Sequence, residues 1–156
     1  MNICRVAYLE LRRINSIRNL LSVDAVKTIV CSLVLSHIDY CNYLLVGLPQ
    51  YLIKRLQGVQ NAAARSILIT PRSEHISPLL QNLHWLPVNR RTLHKVAALC
   101  HSSLSGSYPP YLSDLTHVYT PARSLLSSSD TRILSTPNVK LKSYGQGSFA
   151  YHGPTT

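Results

Sequence analysis

Residues 50–68 read QYLIKRLQGVQNAAARSIL. Leu52, Leu56, Val59, Ala63 and Ile67 recur at steps of four, three, four and four. At about 100° per residue these positions form one apolar stripe, so the spacing predicts an amphipathic helix over Gln50–Leu68. On the opposite side Lys54, Gly58, Asn61 and Arg65 fall within about 60° of one another. The helix therefore has one face for a core and a narrow polar face with two cations, an amide and a gap. Gly58 in mid-helix costs about 1 kcal/mol relative to alanine, so the absence of a side chain there needs a reason.

Working toward the N-terminus, Gly47 and Pro49 stop whatever precedes this helix. Ser22 is a good N-cap, and Asp24 in the following turn suits the helix dipole. A helix is expected from there to Val46. Its middle, TIVCSLVL (28–35), is apolar almost all round, which predicts a segment at the centre of the core. Aspartate at Val30 or Leu33 is expected to prevent folding. A first helix is expected over Cys4–Asn19.

Toward the C-terminus, Ser77-Pro78 reads as a cap followed by proline at the first helical position, opening a short helix, Pro78–Leu83. His84, Trp85 and Leu86 form a corner that ends at Pro87. Another helix is expected over Val88–Leu104, with Gly106 just past its end. Arg90, Arg91, His94, Lys95 and His101 gather on one side of it, and Leu93, Val96, Cys100 and Leu104 on the other. Pro109-Pro110 opens a last turn, Tyr111–Leu115. Beyond it the chain is rich in Ser, Thr, Pro and Gly and shows no helical period. Short strands are conceivable only at 133–134 and 139–141. The expected architecture is an all-α helical bundle of about five helices, residues 1–116, with an irregular tail, residues 117–156, carrying at most short strands.

Composition narrows the function. The chain has 156 residues and is 46% hydrophobic, with 16 Lys+Arg against 6 Asp+Glu, a net charge of +10. So much apolar content argues against full disorder. The excess of cations suggests an anionic partner, nucleic acid or an acidic membrane. The most apolar stretch falls far short of the roughly 20 residues that a bilayer crossing needs, so no membrane role is expected.

The carboxylates Glu10, Asp24, Asp39, Glu74, Asp114 and Asp130 are isolated from one another. No nucleophile elbow, P-loop or HExxH occurs, and a polymerase needs clustered carboxylates on Mg²⁺. No catalytic residues, metal or cofactor are assigned, and no enzyme activity is expected of the chain on its own. Cys31, His37 and Cys41 are spaced C-x5-H-x3-C, without the tight pairs of structural zinc sites; Cys31 and Cys100 read as small core residues. The start, MNICRVAYLELRR, does not read as a secretory leader, so reduced thiols and an intracellular setting, nucleus or cytoplasm, are expected.

The basic helix faces carry the most information. Lys54, Arg55 and Arg65 on one helix and Arg90, Arg91 and Lys95 on another are the candidate phosphate contacts. Any one of them alone is as well explained as a solvated cation. As a group they stand where acidic residues are nearly missing. Trp85 and Tyr144 are candidates for stacking on bases, although a tryptophan between Leu83 and Leu86 suits a core. Removing Lys54 and Arg65 together is expected to flatten the salt dependence of binding by about two units at most.

Several strings, in order, resemble one family. They are Asp39-Tyr40-Cys41-Asn42, Leu44-Leu45, Gly47-Leu48-Pro49, Lys54-Arg55-Leu56-Gln57 and VQNAAAR (59–65). They continue with His75-Ile76, LHWLPV (83–88) and PYLSDL (110–115), then Pro121, Arg123-Ser124-Leu125, Ser127-Ser128, Lys142, Tyr144-Gly145 and Phe149. This series resembles the region after the polymerase core of LINE-type (non-LTR) retrotransposon reverse transcriptases. The resemblance implies a helical thumb and the C-terminal region beyond it, gripping template–primer RNA or DNA by the phosphate backbone. The fingers and palm, with the Mg²⁺-binding aspartate pair, would lie upstream; that pair's box is not present here. The alternatives are a non-catalytic helical interaction module, packing on a fingers–palm partner, or a decayed relic with no independent activity.

Overall fold

The computed structural model describes residues 2–40, 42–106, 110–119, 133–140 and 148–155. These residues are all-α apart from one isolated antiparallel bridge, Val118 to Leu134. The chain forms two compact units that divide between Arg91 and Thr92, within one helix. The boundary expected at 116/117 marks a change in composition.

In the first unit α1, Asn2–Ile17, is followed by a 3-10 turn, Arg18–Leu20. Cys4, Ala7, Leu11 and Ile14 are its buried face, spaced three, four and three apart as a helix stripe requires. A short connection leads into α2, Val23–Val30, where the Ser22 hydroxyl accepts the Ala25 N–H as expected of an N-cap.

The expected long helix to Val46 is not continuous. After α2 the backbone widens into a π-helical turn, Cys31–Leu35, and then forms α3, Ser36–Asp39. Tyr40 is extended, and a 3-10 turn, Asn42–Leu45, comes next. The inserted residue of the wide turn rotates the register. Val30, Val34, Leu35 and Ile38 face the core, whereas Leu33 is 44% exposed. The apolar-all-round segment is therefore half-buried, and only Val30 of the two expected core positions lies inside.

The helix that decides the fold, α4, spans Gln50–Leu68 as the spacing predicts. Leu56, Val59, Ala63 and Ile67 are buried, with Ile53 taking the inward place expected for Leu52. Gln60 and Ala64 are buried as well. Tyr8 lies over Gly58, Asn15 bonds Ser66, and Arg18 bonds the Ser66 and Ile67 carbonyls. The residue offset is close to 50 each time, so α1 and α4 run side by side in the same direction.

The next helix, α5, spans Ile76–Asn82 and begins two residues before the expected Pro78. Ser77 is not its cap: His75 is the extended residue before the first turn. Pro78 is tolerated because N–H groups of a first turn have no intrahelical partner. The helix ends in a Schellman motif, with Trp85 N–H on the Leu80 carbonyl (2.8 Å) and His84 N–H on that of Gln81 (3.0 Å). His84 takes the left-handed conformation, φ 56°, usually given to glycine. Trp85 is half-buried against the core.

The helix α6 spans Val88–Leu104 as expected, and its distal part opens the second unit. There Val96 and Cys100 are buried, as are Thr92 and Ser103, which the apolar pattern does not mark. The Ser103 hydroxyl lies 3.2 Å from that of Thr116. A short helix, α7, covers Pro110–Ser113. In the tail only Leu134 of the strand candidates pairs; 139–140 form no strand, and Leu141 is outside the described residues.

The tail also holds an unexpected helix, α8, Phe149–Thr155. Gly153 and Pro154 read as breakers, and seven residues are too few to show a period. Burial of Gly153 explains the helix: a β-carbon there would stand 2.5 Å from Cys100 Sγ, so only glycine lets this backbone approach so closely.

Candidate nucleic-acid interface

The narrow polar face of α4 has different fates along its length. At the N-terminal end Lys54 and Arg55 are exposed. Tyr51 lies about 60° and 40° from them around the helix, and it is 63% exposed. No carboxylate occurs in α4. A cation pair beside an open aromatic ring matches the needs of a phosphate chain with stackable bases. Tyr51 is not among the sequence candidates, because its position reads as part of the helix entry.

The gap at Gly58 is filled from α1. A β-carbon at Gly58 would stand 3.2 Å from Tyr8 Oη, so the glycine leaves room for the hydroxyl end of a tyrosine whose side chain stays largely exposed. Arg5, Arg12 and Asn15 lie within about 80° of each other on the same side of α1 as Tyr8. All three are exposed. They flank the polar face of α4, yet this partnership is invisible without the parallel pairing of the two helices.

Arg65 is about 16 Å along α4 from Lys54, at 1.5 Å per residue. Its Nη2 donates to the Glu74 carbonyl at 2.9 Å, and its Nε is shielded from solvent with no acceptor. Asn61 Oδ1 accepts from Gln57 Nε2 (2.8 Å). Thus the four residues aligned in the sequence divide into a free-standing lysine, a glycine beside a tyrosine hydroxyl, a bonded amide and a half-buried arginine.

Of the candidates at the start of α6, Arg90 is exposed. Arg91 instead pairs with Asp39 Oδ2 at 2.5 Å. The pair joins the Asp39-Tyr40 string to the residues after LHWLPV, so Arg91 is committed to holding the fold. Lys95 is exposed and belongs to the second unit. Cys41 and Tyr144 lie outside the described residues, as do the family-like strings over 121–128 and 142–145. His84 is exposed, and no group of three or more His, Cys, Asp or Glu side chains stands close enough to hold a metal among the described residues.

The strings VQNAAAR and LHWLPV meet through glutamines. Gln60 Nε2 donates to the Leu86 carbonyl (2.8 Å), and its Oε1 accepts from Gln57 Nε2 (2.9 Å). Gln57 Oε1 accepts the Val88 N–H at 2.9 Å. The buried Gln60 and half-buried Gln57 fasten the Leu86–Val88 turn to α4. Sequence reading gives Gln57 and Gln60 no role, because amides on a helix carry no periodic signal.

Thiol chemistry is subdued. Cys4, Cys31 and Cys100 are free thiols. Burial pushes the Cys100 thiol up, and burial also raises that of Cys31 against the opposing pull of Lys27 and Arg91. Neither is a ready thiolate. No helix among the described residues is long and apolar enough to cross a membrane.

The chain matches no family model, no curated protein and no solved structure.

Proposed function

We propose that this chain is a thumb-like, non-catalytic segment of a LINE-type reverse transcriptase that holds template–primer nucleic acid by its phosphates. The observation that carries the reading is the exposed edge of α4, where Lys54 and Arg55 stand beside Tyr51 with no carboxylate in the helix. Arg90 and Lys95 extend the cation set, with Lys95 in the second unit. The resemblance supplies the enzyme class. The joining of its two strongest strings through Gln57 and Gln60 supports their acting as one framework.

Mechanistically, the cations would displace counterions from the phosphate chain, which gives affinity without base preference. Tyr51 would stack on an unpaired base at the duplex edge. The chain alone would add no nucleotides, since the carboxylates at hand are dispersed. Fluorescence anisotropy with an RNA–DNA hybrid over a salt series tests this. Steep salt dependence, indifferent to sequence, is expected, and the Lys54→Ala/Arg55→Ala pair should reduce the slope by up to about two units. No binding at low salt by a cooperatively melting chain would refute the reading. Magnesium-dependent nucleotide incorporation would refute its non-catalytic part.

A second reading is favoured by α1, where Val6 and Leu9 are exposed opposite its buried stripe and Ile3 and Ile17 are exposed at its two ends. Such a face suits an interaction module. Self-association in light scattering, without nucleic-acid binding, would favour it.

A further inference from the structure

Where α1 and α4 end side by side, the first unit has an open cleft of about 640 Å³. Its lining comes from the end of α1 (Asn15), the 3-10 turn after it (Arg18, Asn19), the last turns of α4 (Ala62, Arg65, Ser66) and the following loop, with Thr70 and Arg72. Such a volume leaves room for a phosphate group, alone or carried on a longer chain. Three guanidinium groups line the cleft and no carboxylate does.

The partners of these cations leave the charge uncancelled. Arg18 donates to three main-chain carbonyls, those of Leu21, Ser66 and Ile67. Arg65 donates to a fourth, that of Glu74. Carbonyls satisfy hydrogen bonds but carry no net charge. Arg18 also offsets the negative end of the α4 dipole, since Ser66 and Ile67 belong to its last turn. The positive charge of Arg65 and Arg72 is then in surplus, within a concave wall that focuses its field. Arg65 Nε has no acceptor at all. Arg72 is exposed on the rim. Glu74, the nearest acidic residue in sequence, is not part of the lining.

The shape is built as well as charged. Ile69 takes the left-handed conformation, φ 51° and ψ 48°, and turns the chain sharply at the end of α4. After the turn Thr70 and Arg72 join Asn15 in the lining of the cleft. Asn15 and Ser66 are fixed to each other by a side-chain hydrogen bond.

We propose that this cleft is a phosphate-binding site, with Arg65 and Arg72 taking the oxygens and Thr70 and Asn19 beside them. Guanidinium forks match the tetrahedral oxygens better than ammonium groups do. The inference rests on the nucleic-acid reading for the source of the phosphate, which is either an internal backbone diester or a terminal monoester. It gives Arg65 a place apart from Lys54, in a cleft rather than on an open edge.

The test uses the whole chain. Inorganic phosphate is titrated while the amide resonances of Ser66, Thr70 and Arg72 are followed by NMR. In parallel a fluorescent oligonucleotide, with or without a terminal phosphate, is bound to the parent, Arg72→Ala, Arg65→Gln and Lys54→Ala chains. Thermal melts establish that each variant folds. The expected result is phosphate-dependent shifts at these amides and a fivefold to tenfold loss of oligonucleotide affinity in Arg72→Ala, with the salt slope lower by about 0.7 units per lost contact. Tighter binding of the phosphorylated oligonucleotide, with competition by inorganic phosphate, assigns the monoester; equal binding assigns the diester. If Arg72→Ala and Arg65→Gln bind as the parent does while Lys54→Ala is weakened, the cleft is refuted and the nucleic-acid reading stands. Shifts with phosphate but no oligonucleotide binding support the site and refute that reading. Neither shifts nor binding refutes both.

Discussion

Replacing Arg18 with methionine keeps most of the side-chain volume and removes five N–H donors. Arg18 is 8% exposed, and its guanidinium reaches Ser66 O at 3.2 Å, Leu21 O at 3.1 Å and Ile67 O at 2.9 Å. Two of these carbonyls lie in the last turn of α4, where no intrahelical donor exists. A hydrogen bond from a charged donor is worth about 1.5–3 kcal/mol. Three of them, less the cost of desolvating the guanidinium and some rehydration of the freed carbonyls, leave a net loss of about 3 kcal/mol. That is a large share of the roughly 5–15 kcal/mol that holds a domain. Urea unfolding followed by circular dichroism reads it as a fall in midpoint at constant slope. Arg18→Lys should recover only part of the loss, because a single ammonium cannot span three carbonyls. The loss should be nearly the same in high salt, since buried groups are little screened. A change under about 0.5 kcal/mol in Arg18→Met would show that water serves these carbonyls equally well, and the account of how α1 is locked to α4 would fail.

Other outcomes concern single positions. Ile69→Gly should stabilise the chain by about 1 kcal/mol, because a β-branched residue that is 70% exposed gains little from burial and is strained in the left-handed region; a thermal melt that falls would refute it. Gln60→Leu should cost about 2 kcal/mol in the same unfolding assay, since the fully buried amide bonds both Leu86 O and Gln57. Val30→Asp should abolish cooperative melting, whereas Leu33→Asp should leave a folded chain, because the two side chains are 0% and 44% exposed respectively. Burial holds the His152 imidazole below its usual range. Protonation is then harder in the folded state, so its contribution to stability is complete above the unfolded value of about 6.5 and is lost as pH falls through the folded value. Melts across that acidic window should decline less steeply for His152→Gln than for the parent.

Helices with a long apolar stripe were legible from residue spacing alone. The spacing of Leu56, Val59, Ala63 and Ile67 specified α4 end to end, and the two-sided pattern around Val96 and Cys100 specified α6. Period and capping are local properties, which a single strand of residues can display. The charge excess and the cations Lys54, Arg55, Arg90 and Lys95 were legible for the same reason.

Other features depend on contacts between residues far apart in the chain. The π-helical turn at Cys31–Leu35 moved Leu33 outward, and no local signal marks where a helix will take an extra residue. Gly153 became a packing site for Cys100 rather than a helix breaker, because its neighbour lies some fifty residues away. Arg91 reads as a phosphate contact and Arg18 carries no mark in the sequence, yet Arg18 caps the end of a distant helix and Arg91 pairs with Asp39. The arginine cleft likewise needs α1 and α4 to run in parallel. A side chain's charge is written in its own residue; what that charge is set against depends on which remote backbone the fold brings within about 3 Å.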